Sequence, residues 1–130
     1  MKIYLYRHGD YVKKDGGLKE LARRIALAEP RKSYKYVFSP DIPRCIETAI
    51  LLSDKTPTIK ADVFNDINRS SNIIQRIEQM FDFVKQLDGD ILIVTCSKLI
   101  SATKLYESKQ KIFYSQLPII PHLEKVVIDL

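Results

Sequence analysis

Two uninterrupted apolar runs limit what this chain can become: Ile3-Tyr4-Leu5-Tyr6 near the start and Ile91-Leu92-Ile93-Val94 toward the end. A strand that meets solvent on one face alternates apolar and polar residues. A run without alternation belongs to a strand covered on both faces, as in a parallel sheet between helix layers. Both runs stop abruptly at polar residues, Arg7-His8-Gly9-Asp10 after the first and Thr95-Cys96-Ser97 after the second. Ligands of open α/β sheets bind just outside the carboxyl ends of the strands. The chain therefore sets a guanidinium and an imidazole in the usual crevice, with Gly9 allowing a sharp turn.

The segments between these runs supply the other layers. Tyr11 to Gly17 is a polar loop, and Leu18, Leu21, Ala22, Ile25 and Ala26 recur at helical spacing before Pro30 ends the helix. Tyr36-Val37-Phe38 is a short second strand stopped by Ser39-Pro40. Asp41 is the expected cap of a helix that accepts Pro43 in its first turn and runs to about Ser53. Its buried stripe is Ile42, Cys45, Ile46, Ala49 and Leu52, while Arg44 and Thr48 lie on another face. Thr58-Ile59 suggests a third short strand, and Asp62 to Ser71 a loop. Ile73, Ile77, Met80, Phe81, Val84 and Leu87 mark a helix over 72–87. A weaker helix is expected over 99–106, strand or irregular structure over 110–116, and a last strand at Val126-Val127-Ile128. Strands alternating with helices predict a three-layer α/β/α sandwich with a mainly parallel central sheet. At 130 residues the expectation is a single domain over 1–130.

Composition narrows the partners. Hydrophobic residues make up 45% and charged residues 28%, an ordinary soluble balance. No apolar run approaches the roughly 20 residues of a membrane span, and the first strand begins too early for a signal peptide. Cys45 and Cys96 suggest no disulfide framework, so a reducing cytoplasm is expected. The net charge of +5 attracts anions, but the basic residues are dispersed and form no run. The dispersed charge reads as a solvated basic surface rather than a nucleic-acid stripe, and no membrane partner is expected; a phosphorylated small molecule or phosphoprotein is the partner expected from the residues that follow. Neither a cofactor nor a metal is expected.

Arg7 and Arg44 can grip a tetrahedral phosphate with paired N–H donors, in a manner lysine does not match. Arg44 adds the first turn of a helix, whose open N–H groups and dipole favour anions. An imidazole between two such cations is a candidate nucleophile toward phosphorus.

At this point the sequence resembles the histidine phosphatase superfamily, which includes the phosphoglycerate mutases. The resemblance rests on Tyr6-Arg7-His8-Gly9-Asp10, and on Val37-Phe38-Ser39-Pro40 followed by Arg44 and Glu47-Thr48-Ala49. A weaker match is Arg76 ahead of Ile91-Leu92-Ile93-Val94-Thr95, and the short length is most similar to the compact phosphohistidine phosphatases of the SixA type. The resemblance implies that His8 attacks phosphorus and becomes a phosphohistidine. It implies that Arg7 and Arg44 hold the phosphoryl oxygens, with Ser39 near the pocket and Thr48 structural.

One position departs from the pattern. The family places a second histidine after its fourth strand, where this chain has Cys96. A thiol is a weak donor and a thiolate repels phosphate. The only other histidine, His122, reads as a surface loop residue. The general acid is open: Asp66 or Asp62 in the loop after the third strand, or Asp10 beside the motif. Losing one preorganised donor costs about 10²–10³ in rate, so a slow phosphatase acting through His8 is the expectation. A degenerate phosphate-binding protein is the alternative, and a basic nucleic-acid or protein-interaction domain the second alternative.

Overall fold

The computed structural model describes residues 1–130. Its strands are β1 (Lys2–Arg7), β2 (Tyr36–Ser39), β3 (Thr58–Lys60), β4 (Ile91–Thr95) and β5 (Lys125–Asp129). The helices are α1 (Glu20–Ala28), α2 (Pro43–Leu52), α3 (Ile73–Val84) and α4 (Ser97–Glu107). The strands form one sheet in the order β3-β2-β4-β1-β5. Every pairing is parallel except β5 on β1.

The two apolar runs lie side by side in the middle of this sheet, Ile3 beside Ile91 and Arg7 beside Thr95. Alternate residues of the same run feed opposite cores, as the two-residue period of a strand requires. Ile3, Leu5, Ile91 and Ile93 pack with Ile77, Met80, Phe81 and Val84 of α3 and with Leu99 and Ile100 of α4. Tyr6, Leu92 and Val94 turn the other way and pack with Ala26 of α1 and Cys45, Ala49 and Leu52 of α2. This is the expected three-layer α/β/α sandwich. Each fully buried aliphatic or aromatic side chain contributes about 1.5–3 kcal/mol.

The layering also locates the crevice. β1 is followed by α1 on one face of the sheet, and its neighbour β4 is followed by α4 on the other. Adjacent strands whose helices depart to opposite faces leave a gap at their carboxyl ends. His8 and Cys96 are the residues that leave those two strands.

Local details differ from the sequence pattern in three places. Leu21 and Ile25 share the helical spacing of the α1 apolar residues, yet they are 68% and 48% exposed; Leu18, Ala22 and Ala26 carry the packing. The small alanines let α1 lie close to the sheet, which tips its larger residues outward. Asp41 does not cap α2: Ile42 holds that position, with no side-chain bond, and Pro43 opens the helix. Asn72 caps α3, accepting from the Gln75 amide, so the helix starts at Ile73 rather than Asn72, and it ends at Val84 rather than Leu87. Residues 110–116, expected as strand or irregular structure, are irregular apart from a 3₁₀ turn at Tyr114–Gln116.

Candidate active site

A cavity of about 270 Å³ opens at the carboxyl ends of β1 and β4. Arg7, His8, Tyr11, Arg44, Asp66 and Cys96 line it, with Ser97 and Lys98 from the first turn of α4. Residues distant in sequence meet here because both central strands end at this edge.

His8 is 3% exposed, and its partners determine its tautomer. Nδ1 lies 2.9 Å from the Gly9 carbonyl, which can only accept, so Nδ1 carries the proton. Nε2 lies 3.2 Å from Arg44 Nε, which can only donate, so Nε2 presents its lone pair. The ring thus directs its nucleophilic nitrogen at a guanidinium. The peptide is pinned as well: the His8 amide donates to the Thr95 carbonyl at 3.1 Å, tying the motif to the end of β4.

Arg44 is held from two sides. Its guanidinium stacks on the Tyr11 ring at 4.4 Å from the centroid, a cation–π contact. Its carbonyl accepts from Thr48 Oγ1 at 2.7 Å, and that same oxygen accepts from the Gly9 amide at 3.0 Å. Thr48 therefore clamps the turn after β1 to the first turn of α2. The turn is also tight: a Cβ on Gly9 would stand 3.1 Å from Ala22 and 3.2 Å from Leu18.

Arg7 donates through one terminal nitrogen to the Ile120 carbonyl at 2.8 Å. Its Nε is buried without a partner. A buried donor left unpaired costs about 1–3 kcal/mol, more when charged. The side chain that lines the cavity is thus not fully paired.

Asp66 is the carboxylate that reaches the cavity. Burial, reinforced by the facing Cys96, holds its carboxyl above the usual range, against hydrogen bonds from the Leu99 and Ile67 amides. Its Oδ1 accepts from the Leu99 amide at 3.0 Å. Arg76 donates to the carbonyls of Asn65 and Asp66 and so braces the loop that presents this acid.

Cys96 precedes α4 and is 6% exposed. The facing Cys45 thiol, and with it the Arg44 guanidinium, pull its pKa down against the penalty of burial. Cys45 itself moves the other way, through Cys96 and through burial.

Four other residues singled out in the sequence lie outside the cavity lining. Ser39 is fully buried and its hydroxyl donates to the Pro40 carbonyl at 3.0 Å, so it does not line the cavity. Strand β2 is covered on both faces by the time it reaches Ser39, so its hydroxyl is turned to the backbone. His122 is the exposed loop histidine expected, but it is not without partners: its ring is 5.5 Å from His8, and Nδ1 donates to the His8 carbonyl at 3.1 Å. It supports the motif from outside the cavity lining. Asp10 pairs with Lys19 at 3.0 Å, which holds its carboxyl below the usual range, and it lies outside the cavity. Asp62 begins a 3₁₀ turn, exposed and away from the cavity.

Tyr11, Ser97 and Lys98 are cavity residues that the sequence did not single out. Tyr11 had no signal beyond its place after the motif. Ser97 and Lys98 follow from the position of α4, since any helix starting at Cys96 brings its first turn to the crevice.

No protein-family model matches the sequence, and no curated protein matches it at a significant level. Solved structures do match by fold. A phosphoserine phosphatase from Entamoeba histolytica, in complex with 3-phosphoglyceric acid, superposes with a TM-score of 0.78 at 12% identity, covering 97% of this chain and 89% of that one. A phosphoglycerate mutase from Bacillus anthracis gives 0.72 at 14% identity, covering 98% and 88%. YhfR of Bacillus stearothermophilus gives 0.71 at 14% identity, covering 99% and 91%. The architecture of this chain is therefore the phosphoglycerate mutase-like α/β fold, built over its whole length.

Proposed function

We propose that this chain hydrolyses phosphoric monoesters through a phosphohistidine on His8, slowly, because Cys96 stands where a second histidine would serve. One observation carries the reading: the His8 Nε2 lone pair, unprotonated and fixed by the Nδ1–Gly9 bond, shares a cavity with Arg7 and Arg44. The fold likeness to phosphatases and a mutase supports the reaction class.

In the proposed first step Nε2 attacks phosphorus and the bond to the leaving oxygen breaks. Arg44 exchanges its bond to Nε2 for phosphoryl oxygens, and Arg7 supplies its unpaired donors to the same group. Asp66, whose carboxyl burial holds above its usual range, gives its proton to the leaving oxygen. Water then attacks the phosphohistidine, Asp66 takes the proton, and phosphate departs. Cys96 adds no strong donor to the phosphoryl oxygens, and its thiolate opposes them. The cavity falls below the roughly 300–1,000 Å³ of pockets that engulf a drug-sized ligand. It suits a phosphoryl group whose carrier stays outside, such as a phosphohistidine or another phosphorylated residue of a protein.

The second reading is phosphate binding without turnover, favoured by the lowered Cys96 pKa, which places negative charge beside the oxyanion site. Hydrolysis of p-nitrophenyl phosphate separates the two. The enzyme reading expects slow turnover abolished in His8→Ala and raised in Cys96→His, toward the about 10²–10³ of a restored donor. Equal rates in wild type and His8→Ala would remove it. Phosphate-induced thermal stabilisation lost in Arg44→Ala, with no turnover, would favour binding alone.

A further inference from the structure

The molecule has two cysteines, and the fold brings both to one place. Cys45 follows Arg44 on α2, and Cys96 caps α4; both belong to the same buried cluster between the sheet and α2. They are free thiols. Cys45 is fully buried, whereas Cys96 reaches the cavity that also holds His8, Arg44 and Asp66. One sulfur thus meets whatever enters the cavity, and the other waits directly behind it.

We propose that Cys96 and Cys45 form a peroxide-sensitive thiol pair, with Cys96 taking the oxidant from the cavity and Cys45 closing a disulfide behind it. The surroundings fit each part. Cys96 stands at a helix N-terminus beside the Arg44 guanidinium, at the wall of the cavity, an electropositive and partly accessible setting that makes a thiol reactive. The Cys45 thiol and Arg44 both favour its thiolate, and burial opposes it. The Asp66 carboxyl also faces it and is held protonated more readily than usual by the same juxtaposition. Cys45 is sealed from solvent and stays protonated, a reserve that an oxidant cannot reach first.

The chemistry balances with hydrogen peroxide as the oxidant. The Cys96 thiolate attacks one peroxide oxygen; the S–O bond forms, the O–O bond breaks, and hydroxide leaves and is protonated to water. Cys96 is then a sulfenic acid. The Cys45 sulfur attacks the Cys96 sulfur, losing its proton; the S–S bond forms and the sulfenic oxygen departs as a second water. Two thiols are oxidised by two electrons and one peroxide is reduced. The product joins the residue after Arg44 to the cap of α4, across the two helix starts that flank the cavity. Phosphate binding is expected to fall, because Arg44 and the α4 first turn no longer move independently.

The test is thiol mapping by mass spectrometry after hydrogen peroxide treatment of the folded protein, followed by alkylation in denaturant. Wild type is expected to lose the mass of two hydrogens, to yield a peptide linking Cys45 to Cys96, and to recover both thiols on treatment with dithiothreitol. Cys45→Ala should instead trap a dimedone adduct on Cys96, and Cys96→Ser should leave Cys45 unoxidised. Those two variants report the order of events even if one lowers stability, since each is read on its own peptides under the same treatment. The proposal is overturned if wild type keeps two alkylatable thiols, if Cys45 oxidises as readily in Cys96→Ser as in wild type, or if disulfides form only between chains. None of these readouts uses turnover, so they stand whether or not the phosphatase reading holds.

Discussion

Asp66 combines two properties that rarely favour the same outcome. Burial raises its pKa, which keeps a proton available to a leaving group but disfavours the ionised form in the folded state. As pH rises through the Asp66 pKa the acid is lost, so kcat/KM should fall along an alkaline limb absent from Asp66→Asn. The loss in Asp66→Asn should reach roughly 10²–10⁴ for an alkyl phosphate, whose leaving group needs the proton, and be far smaller for p-nitrophenyl phosphate. The sign for stability is opposite. A carboxyl raised above its unfolded value contributes stability below the unfolded pKa and loses it as pH rises through the folded pKa. Asp66→Asn should therefore melt higher than wild type at pH values above both, while its Oδ1 still accepts from Leu99. Differential scanning calorimetry across pH checks this; a lower melting temperature there would mean the carboxylate is stabilising. Residue types favour the loop carboxylates Asp66 and Asp62 over Asp10 but do not separate the first two, because only the loop path decides which carboxylate is buried. The contacts of Ser39 and His122 were illegible for the same reason, since a strand end or a loop position does not say which way a side chain turns.

The elements were far more legible than the side chains, because strand burial and helix periodicity are written in the pattern itself. The two continuous apolar runs are β4 and most of β1, and the stripe of Ile77, Met80, Phe81 and Val84 is the buried face of α3. What the pattern lacked was the joint between elements. Thr48 on α2 holds the β1 turn through the Gly9 amide and its own helix through the Arg44 carbonyl. Thr48→Val keeps the shape and removes both bonds, leaving a buried amide unpaired. The expected cost is about 1–3 kcal/mol of stability, read by urea denaturation, together with a drop in turnover that exceeds what lost folded protein explains. A variant as stable and active as wild type would show that the clamp is dispensable. Exposed Leu21 and Ile25 carry a related lesson: helical spacing reveals a face, and the size of the residues that must fit beneath it decides how far that face is turned inward.

Across the whole molecule, one topological fact organises the chemistry. The sheet order sets β1 beside β4 and sends their helices to opposite faces, so the carboxyl ends of both strands open on a single crevice. Arg7, His8, Arg44, Asp66 and Cys96 come from four different segments and share it. No helix is long and apolar enough to cross a membrane, and the net charge of +5 favours anionic partners in general. The selective element is the cavity, with an imidazole whose Nε2 is held by Arg44 until something takes its place. The most direct measurement is a crystal structure of the protein soaked with vanadate. The account predicts vanadium bonded to His8 Nε2, with its oxygens on the Arg44 and Arg7 guanidinium groups. Vanadate bound elsewhere, or an empty cavity with Arg44 still bonded to His8, would contradict it.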